Sequence, residues 1–426
     1  MGPRHDCDRE TAAVSFLPPS GSSAAPGPPS YAPEMTPEVT DVQDAVSAIA
    51  SGWRADRLER QGRRHLERTD FDALRQAGLL RLAVPVDAGG LWRDTESSLR
   101  PLCEVYRLLA TGDPSVALVS AMHPAVLAFW LATPGSAPSD WEEQRQAVFA
   151  SAAAGEQWGT ITSEPGSGGD IARTRAVAIP IAGASFMAGR SYGVTGDKHF
   201  GSGSGITDRM ITTAVAEGES SPTIFAMDVR GRPWDGSAGM ELVAEWDGMG
   251  MAATQSHAMR LEQAPSVRLA WDGPLDTIAR AASPFIASIF TAVVLGIVDE
   301  AVALARAQLR RKANDLRPFE QVEWSTAEQD HWVAVQAYEG GLRAAKSGDP
   351  AAAVHGTLRA KEAVAGLAED TLRRLTRVLG GGTFSRRSPF SHWFEDVRAL
   401  GFLRPPWGFA YDSLFASSFS PADRPD

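Results

Sequence analysis

The residue types best suited to hold a reactive ligand concentrate in two stretches. These are Trp158-Gly-Thr-Ile-Thr-Ser-Glu-Pro-Gly-Ser-Gly-Gly-Asp170 and Gly196-Asp-Lys-His-Phe-Gly-Ser-Gly203. From Thr160 to Ser163 hydroxyl and apolar side chains alternate, as in an extended segment with one wet and one dry face. Glu164-Pro165-Gly166 then ends the strand. Gly166, Gly168 and Gly169 let backbone approach a bulky ligand with no Cβ in the way. On spacing alone, an ordinary turn rich in Gly and Ser reads the same way. Among the histidines, His199 and His257 face a substrate or are ordinary loop residues. His123 sits in an apolar stretch before Pro124, where a hydrogen-bonded core histidine is the simpler reading.

The elements that must position these residues fall into three blocks. Residues 1–35 carry a Pro/Ser/Gly/Ala-rich run and read as a disordered tail without a hydrophobic signal region, with Met35 an alternative start. Residues 36–155 have helical periodicity. A helix is expected over Asp70–Leu80, and two buried ones over Leu102–Leu109 and Val116–Leu131, the last capped by Asp113-Pro114 and kinked or interrupted at Pro124. Residues 156–272 change to a period of two, with strands expected at Ala176–Pro180, Arg209–Val215, Thr223–Val229 and Val267–Trp271. Residues 273–426 return to helix. There Phe285, Ile289, Val293, Ile297 and Ala301 form one i+4 row beside Ile286, Phe290, Val294, Val298 and Val302. The expected fold class is α+β: an N-terminal helical domain, a small central antiparallel β-domain and a C-terminal helical bundle.

The 426 residues can bury a large core, and the formal charge of −11 argues against nucleic acid or an anionic membrane as partner. Two cysteines, Cys7 and Cys103, supply neither a disulfide framework nor a metal cluster and fit a reducing cytoplasm. No uninterrupted apolar run reads as long enough to cross a bilayer.

Ser163-Glu164-Pro165-Gly166-Ser167-Gly168-Gly169-Asp170 and Gly196-Asp197-Lys198-His199-Phe200-Gly201-Ser202 together resemble the two flavin-holding motifs of the acyl-CoA dehydrogenase superfamily. The resemblance covers roughly residues 37–420. It implies FAD, with FMN as the alternative. Ile161, Thr162 and Ser163 would offer backbone and hydroxyl groups to the flavin's pyrimidine edge and N5. Gly168 would allow close approach, Phe200 with Gly201 would stack on the ring, and Ser202 would bond near N5. Phe200 stands where the family has Trp, and Gly169 where a serine often meets the pyrophosphate. Arg311 matches loosely an arginine that reaches a neighbouring subunit's flavin diphosphate. Gly380 and Gly381 match glycines that approach the adenosine half across a dimer interface, so a homodimer or homotetramer is expected. In relatives the helix matching His123 lines the substrate side, which keeps His123 a catalytic candidate.

In the dehydrogenases of this family a glutamate removes the substrate α-proton as hydride leaves for flavin N5. At the matching place this chain has Arg404-Pro-Pro-Trp-Gly408, and at the alternative place on the long helix it has Ile286, neither a base. Glu395 is the nearest carboxylate, and its neighbour Asp396 matches a structural Arg–Asp pair. Gly248-Met249-Gly250 replaces the family's Gly-Met-Arg. The resemblance therefore points first to oxidation of an acyl thioester, an acyl-CoA or carrier-bound acyl group, with a displaced base. A two-component monooxygenase acting through a C4a-hydroperoxyflavin, and a homologue without catalysis, are the alternatives.

Overall fold

A computed structural model describes residues 36–132, 138–183 and 185–419. The expected N-terminal tail, Cys7 included, lies outside them. The first helical block comprises α1 (Pro37–Ala55), α2 (Arg57–Arg60), α3 (Arg68–Gln76), α4 (Thr95–Ala110), α5 (Pro114–Leu131) and α6 (Ser139–Ala153). Seven strands follow: β1 (Trp158–Thr160), β2 (Val177–Pro180), β3 (Ser191–Gly201), β4 (Arg209–Ala216), β5 (Pro222–Asp228), β6 (Met240–Ala244) and β7 (His257–Arg268). The second helical block is α7 (Leu275–Leu309), α8 (Pro318–Ala345), α9 (Pro350–Leu379), α10 (Pro389–Val397), α11 (Ala399–Phe402) and α12 (Trp407–Ser418).

Helix starts follow local chemistry. Asp113 at the start of α5 accepts the Val116 N–H at 3.0 Å, and Asp349 does the same for Ala351 at the start of α9 at 2.9 Å. Both helices have Pro in the first turn, where its missing N–H costs nothing. The expected Asp70–Leu80 helix is shorter, ending at Gln76, with Gly78 left-handed behind it. Asp70 pairs instead with buried Arg60 at 2.7 Å, and Arg60 also meets Asp113 at 2.8 Å.

Pro124 does not interrupt α5, contrary to expectation. The N–H it lacks would have bonded the Ser120 carbonyl, and the Tyr106 hydroxyl donates to that carbonyl instead, at 3.3 Å. Two helical stretches, Pro114–Leu131 and Leu275–Asp315, are also long and apolar enough for a bilayer, which corrects the sequence reading. Both are mostly covered by the protein itself.

Five strands close on themselves. Strand β4 pairs β5 and β2, β2 pairs β3, β3 pairs β7, and β7 returns to β5. β1 extends the ring beside β4, and β6 lies beside β7. Pairing is antiparallel except that β1 and β2 run parallel to β4. Val194, Met210, Phe225, Met259 and Leu261 fill the interior. β3 and β6 were not foreseen, and β7 begins ten residues before the strand expected at Val267. β3 shifts register between Val194 and Gly196 and again between Lys198 and Gly201, so its side chains lose a clean alternation. A run of buried indoles, Trp271–Trp141–Trp130–Trp158, with ring centroids 5.5–5.8 Å apart, joins α6, α5 and β1.

Candidate functional site

The two motif stretches meet. The His199 N–H donates to the Ser163 carbonyl at 2.8 Å, and fully buried Lys198 donates to Glu164 Oε1 at 2.6 Å. Lys198 also donates to the Thr213 carbonyl at 2.7 Å and to Thr174 Oγ1 at 3.2 Å. Glu164 accepts further from the Arg175 N–H at 2.7 Å, the Ala176 N–H at 3.2 Å and the Thr174 hydroxyl. Burial would raise this carboxyl. The bonds from Lys198, Thr174 and Arg175 outweigh that and hold it below its ordinary range. The acid and the cation shared by the two motifs are therefore occupied in joining the loops.

Above this joint lies a cavity of about 980 Å³, at the upper end of small-molecule sites. Thr162, Ser163, Gly168, Phe200, Ser202 and Glu395 line it. His199 and Ile286 also reach it. Ile161 does not: its side chain is buried in the barrel, its N–H bonds the Ile211 carbonyl at 2.9 Å, and its carbonyl accepts the Thr212 hydroxyl at 2.6 Å. Gly201 backs onto Ile161, where a Cβ would stand 2.8 Å from Ile161 Cδ1, so it permits packing and does not touch a ligand. Arg311, Gly380 and Gly381 lie outside this cavity, and Arg311 and Gly381 are exposed.

His123 is a structural residue. It is fully buried, its Nδ1 accepts the Trp158 N–H at 3.1 Å, and its Nε2 lies 3.1 Å from the Leu80 carbonyl, which only an N–H can satisfy. Burial pushes it down to about 4, against the pull of the Leu80 bond. With both nitrogens engaged, it has no reach into the cavity. His257 is likewise held, accepting the Trp246 N–H at 2.9 Å.

The polar and aromatic walls are ordered. Phe200 adopts φ of 58°, a region unfavourable for a bulky side chain, and is 55% exposed at the cavity. Trp246 packs edge-on to it, centroids 5.9 Å apart, and donates its Nε1–H to the Met251 carbonyl at 3.0 Å. Ser202 ends a chain of three hydroxyls, with Ser256 at 2.8 Å and Thr254 a further 2.7 Å on, so it can offer a proton or a lone pair. Gly169, with φ of 85°, packs where a Cβ would come 2.7 Å from Pro406.

The residue not foreseen is Arg404. Its Nη1 donates to the Gly169 carbonyl at 3.0 Å, and its Nη2 to Thr162 Oγ1 at 2.6 Å and Ser163 Oγ at 3.1 Å. No ion pair involving it occurs among the described residues. Burial pushes its pKa down to about 10, only partly offset by the charge of Asp170, so it stays cationic at neutral pH. The next carbonyl, of Pro405, is gripped by fully buried Lys361 at 2.9 Å, which itself bonds Glu362 at 2.7 Å. The missing carboxylate at this place was visible in sequence, but the cation's partners were not.

The acids of the cavity wall are already engaged or solvated. Glu395 bonds Arg398 at 2.7 Å, and Asp412 is exposed on α12. Among the described residues Asp396 makes no ion pair with an arginine, contrary to expectation. Asp396 instead accepts the Met251 N–H at 2.6 Å, and burial pushes it up to about 7.

No family model matches the chain. The chain is 27% identical over 292 residues to a probable FMNH2-dependent monooxygenase, SfnC, from Pseudomonas putida. That match spans 67% of this chain and 65% of SfnC, so just under two thirds of that relative's length is covered. Among solved structures it superimposes on FMN-bound TdsC from Paenibacillus sp. A11-2 with a TM-score of 0.72, at 20% identity, covering 89% of this chain and 97% of that one. It also superimposes on butyryl-CoA dehydrogenase from Megasphaera elsdenii with a TM-score of 0.76, at 16% identity, covering 91% and 99%. The fold is therefore that of the acyl-CoA dehydrogenase superfamily, on which both monooxygenases and dehydrogenases are built.

Proposed function

We propose that this chain is a flavin-dependent monooxygenase of the two-component kind, which takes reduced FMN from solution and oxygenates a small, largely apolar substrate. One observation carries this preference over acyl-thioester oxidation. The acids lining the cavity are ion-paired or solvated, and none stands at a place where the dehydrogenases keep their base. Glu164 is held by Lys198, Glu395 by Arg398, and Asp412 faces solvent. The two places where the dehydrogenases keep their base hold Ile286 and the Arg404-Pro-Pro run. Oxygenation by flavin needs no such base.

The residues present fit a flat, acceptor-edged ring system. Thr162, Ser163 and Ser202 supply hydroxyls, Phe200 and Trp246 supply π-faces, and the left-handed glycines 168 and 169 keep the approach open. When bound, reduced flavin would supply the two electrons that activate dioxygen. The chain's part is to orient the ring, to exclude water with Phe290, Ile286, Phe402 and Leu403, and to hold a proton at the Ser202 hydroxyl chain. The FMN named for SfnC and TdsC supports FMN over FAD.

The deciding experiment adds dithionite-reduced FMN anaerobically to the purified protein, then admits oxygen with an aromatic heterocycle such as indole. Incorporation of one oxygen atom into the substrate supports the proposal. Bleaching of oxidised bound flavin by an acyl-CoA, without oxygen, would restore the dehydrogenase reading.

A further inference from the structure

Arg404 is a cation with no directly bonded carboxylate among the described residues, Asp170 acting on it only from beyond ion-pair distance. Of the five N–H groups of a guanidinium, three donate to a carbonyl and two hydroxyls, all neutral. Two N–H groups have no acceptor among the described residues. The Thr162 and Ser163 oxygens each accept from Nη2, so their own hydrogens point elsewhere. This pole of the cavity therefore presents donors and positive charge together. It is built from segments that other buried groups fix: Glu164 through Lys198 on one side, Pro405 through Lys361 on the other. Such a pole selects a ligand edge that is rich in acceptors and negatively charged.

Resting on the flavin reading above, we propose that Arg404 sets this cavity's preference for reduced over oxidised flavin. Two-electron reduction of the ring, with loss of the N1 proton near neutrality, leaves negative charge over N1 and the C2 carbonyl. The oxidised ring is neutral there. Thr162 and Ser163, the hydroxyls assigned to that pyrimidine edge, are the two that Arg404 holds. Protein charge beside N1 is an established lever on flavin electronics. The guanidinium thus rewards the reduced state and leaves the oxidised state held by stacking and hydroxyls alone. An enzyme fed by diffusing reduced flavin needs that asymmetry to release the spent ring.

The test is equilibrium binding, separate from turnover. Dissociation constants are measured for oxidised FMN by fluorescence and for dithionite-reduced FMN by anaerobic ultrafiltration, with wild type, Arg404→Met and Arg404→Lys. Wild type should bind reduced FMN more tightly. Arg404→Met should weaken that binding roughly tenfold to a hundredfold, as for hydrogen bonds to a charged group, while oxidised FMN changes by less than about threefold. Arg404→Lys, a point charge without the fork, should fall between and serves if the Met variant does not fold. Equal weakening of both redox forms, or no change in either, would overturn the proposal. So would unchanged flavin binding with lost binding of benzoate, since the guanidinium would then belong to a substrate carboxylate. If wild type binds neither redox form, the flavin reading itself fails.

Discussion

Lys198 and Arg404 are cations that both bond the segment from Thr162 to Gly169, and they are treated in opposite ways. Lys198 is fully buried and has its carboxylate, Glu164, at 2.6 Å. Arg404 is half-buried, reaches the cavity, and is offered only hydroxyls and a carbonyl. A buried charge is tolerated when it is paired and hydrogen-bonded. A charge left unpaired at a cavity wall retains its field for whatever enters. The pair therefore separates a residue that closes the fold from one that addresses a ligand, and only the first belongs to a recognisable sequence motif.

The sharpest way to break that distinction is to remove each cation in turn. Lys198→Met leaves Glu164 buried without its partner and should cost about 3–5 kcal/mol of stability, read as a lowered melting temperature. Arg404→Met should cost less than about 1 kcal/mol, since its partners are neutral and reach water or each other. Equal losses would erase the difference.

A second expectation concerns pH. His123 has a folded pKa of about 4, below its unfolded value, so the unfolded chain binds the extra proton first. Its contribution to stability is complete above about pH 6.5 and falls away as pH drops, by about 3 kcal/mol at pH 4. Asp396, raised to about 7, has the reverse sign: the folded state keeps its proton, and stability declines as pH rises from about 4 to 7. The two oppose each other across pH 4–6.5. His123→Gln should uncover a stability that falls with rising pH, and Asp396→Asn one that climbs, in denaturant titrations over that range. Parallel curves for the two variants would refute both assignments.

Smaller effects refine the functional side. Glu395→Gln should change turnover by less than about threefold, whereas loss of a general base costs about 10²–10⁴. Phe200→Gly relieves a left-handed backbone and should leave stability within about 1 kcal/mol while weakening binding of oxidised FMN.

The parts legible in the sequence were those written locally. Glu164-Pro165-Gly166 and the glycines after it announced a turn, and the apolar rows of Phe285 and Ile286 announced a long helix, which runs from Leu275 to Leu309. Helix α5 was legible except at Pro124, because its repair comes from a tyrosine on another helix. β3 was hidden by its two register shifts. Arg404 was invisible as a site residue for a related reason. Its meaning lies in Thr162 and Ser163, some 240 positions earlier. His123 was read both as a core histidine and as a catalytic candidate, and its burial with both ring nitrogens bonded agrees with the first.

The bonds from Arg404 to Thr162 and Ser163 span 242 and 241 residues. A chain emerging from the ribosome would have its barrel and its first helices available long before α10 and α11 could deliver the arginine. The donor-rich pole is thus among the last contacts that synthesis permits. Until then the barrel loops would present a half-made recess, and tight capture of its ligand becomes a marker that the polypeptide has matured past residue 404.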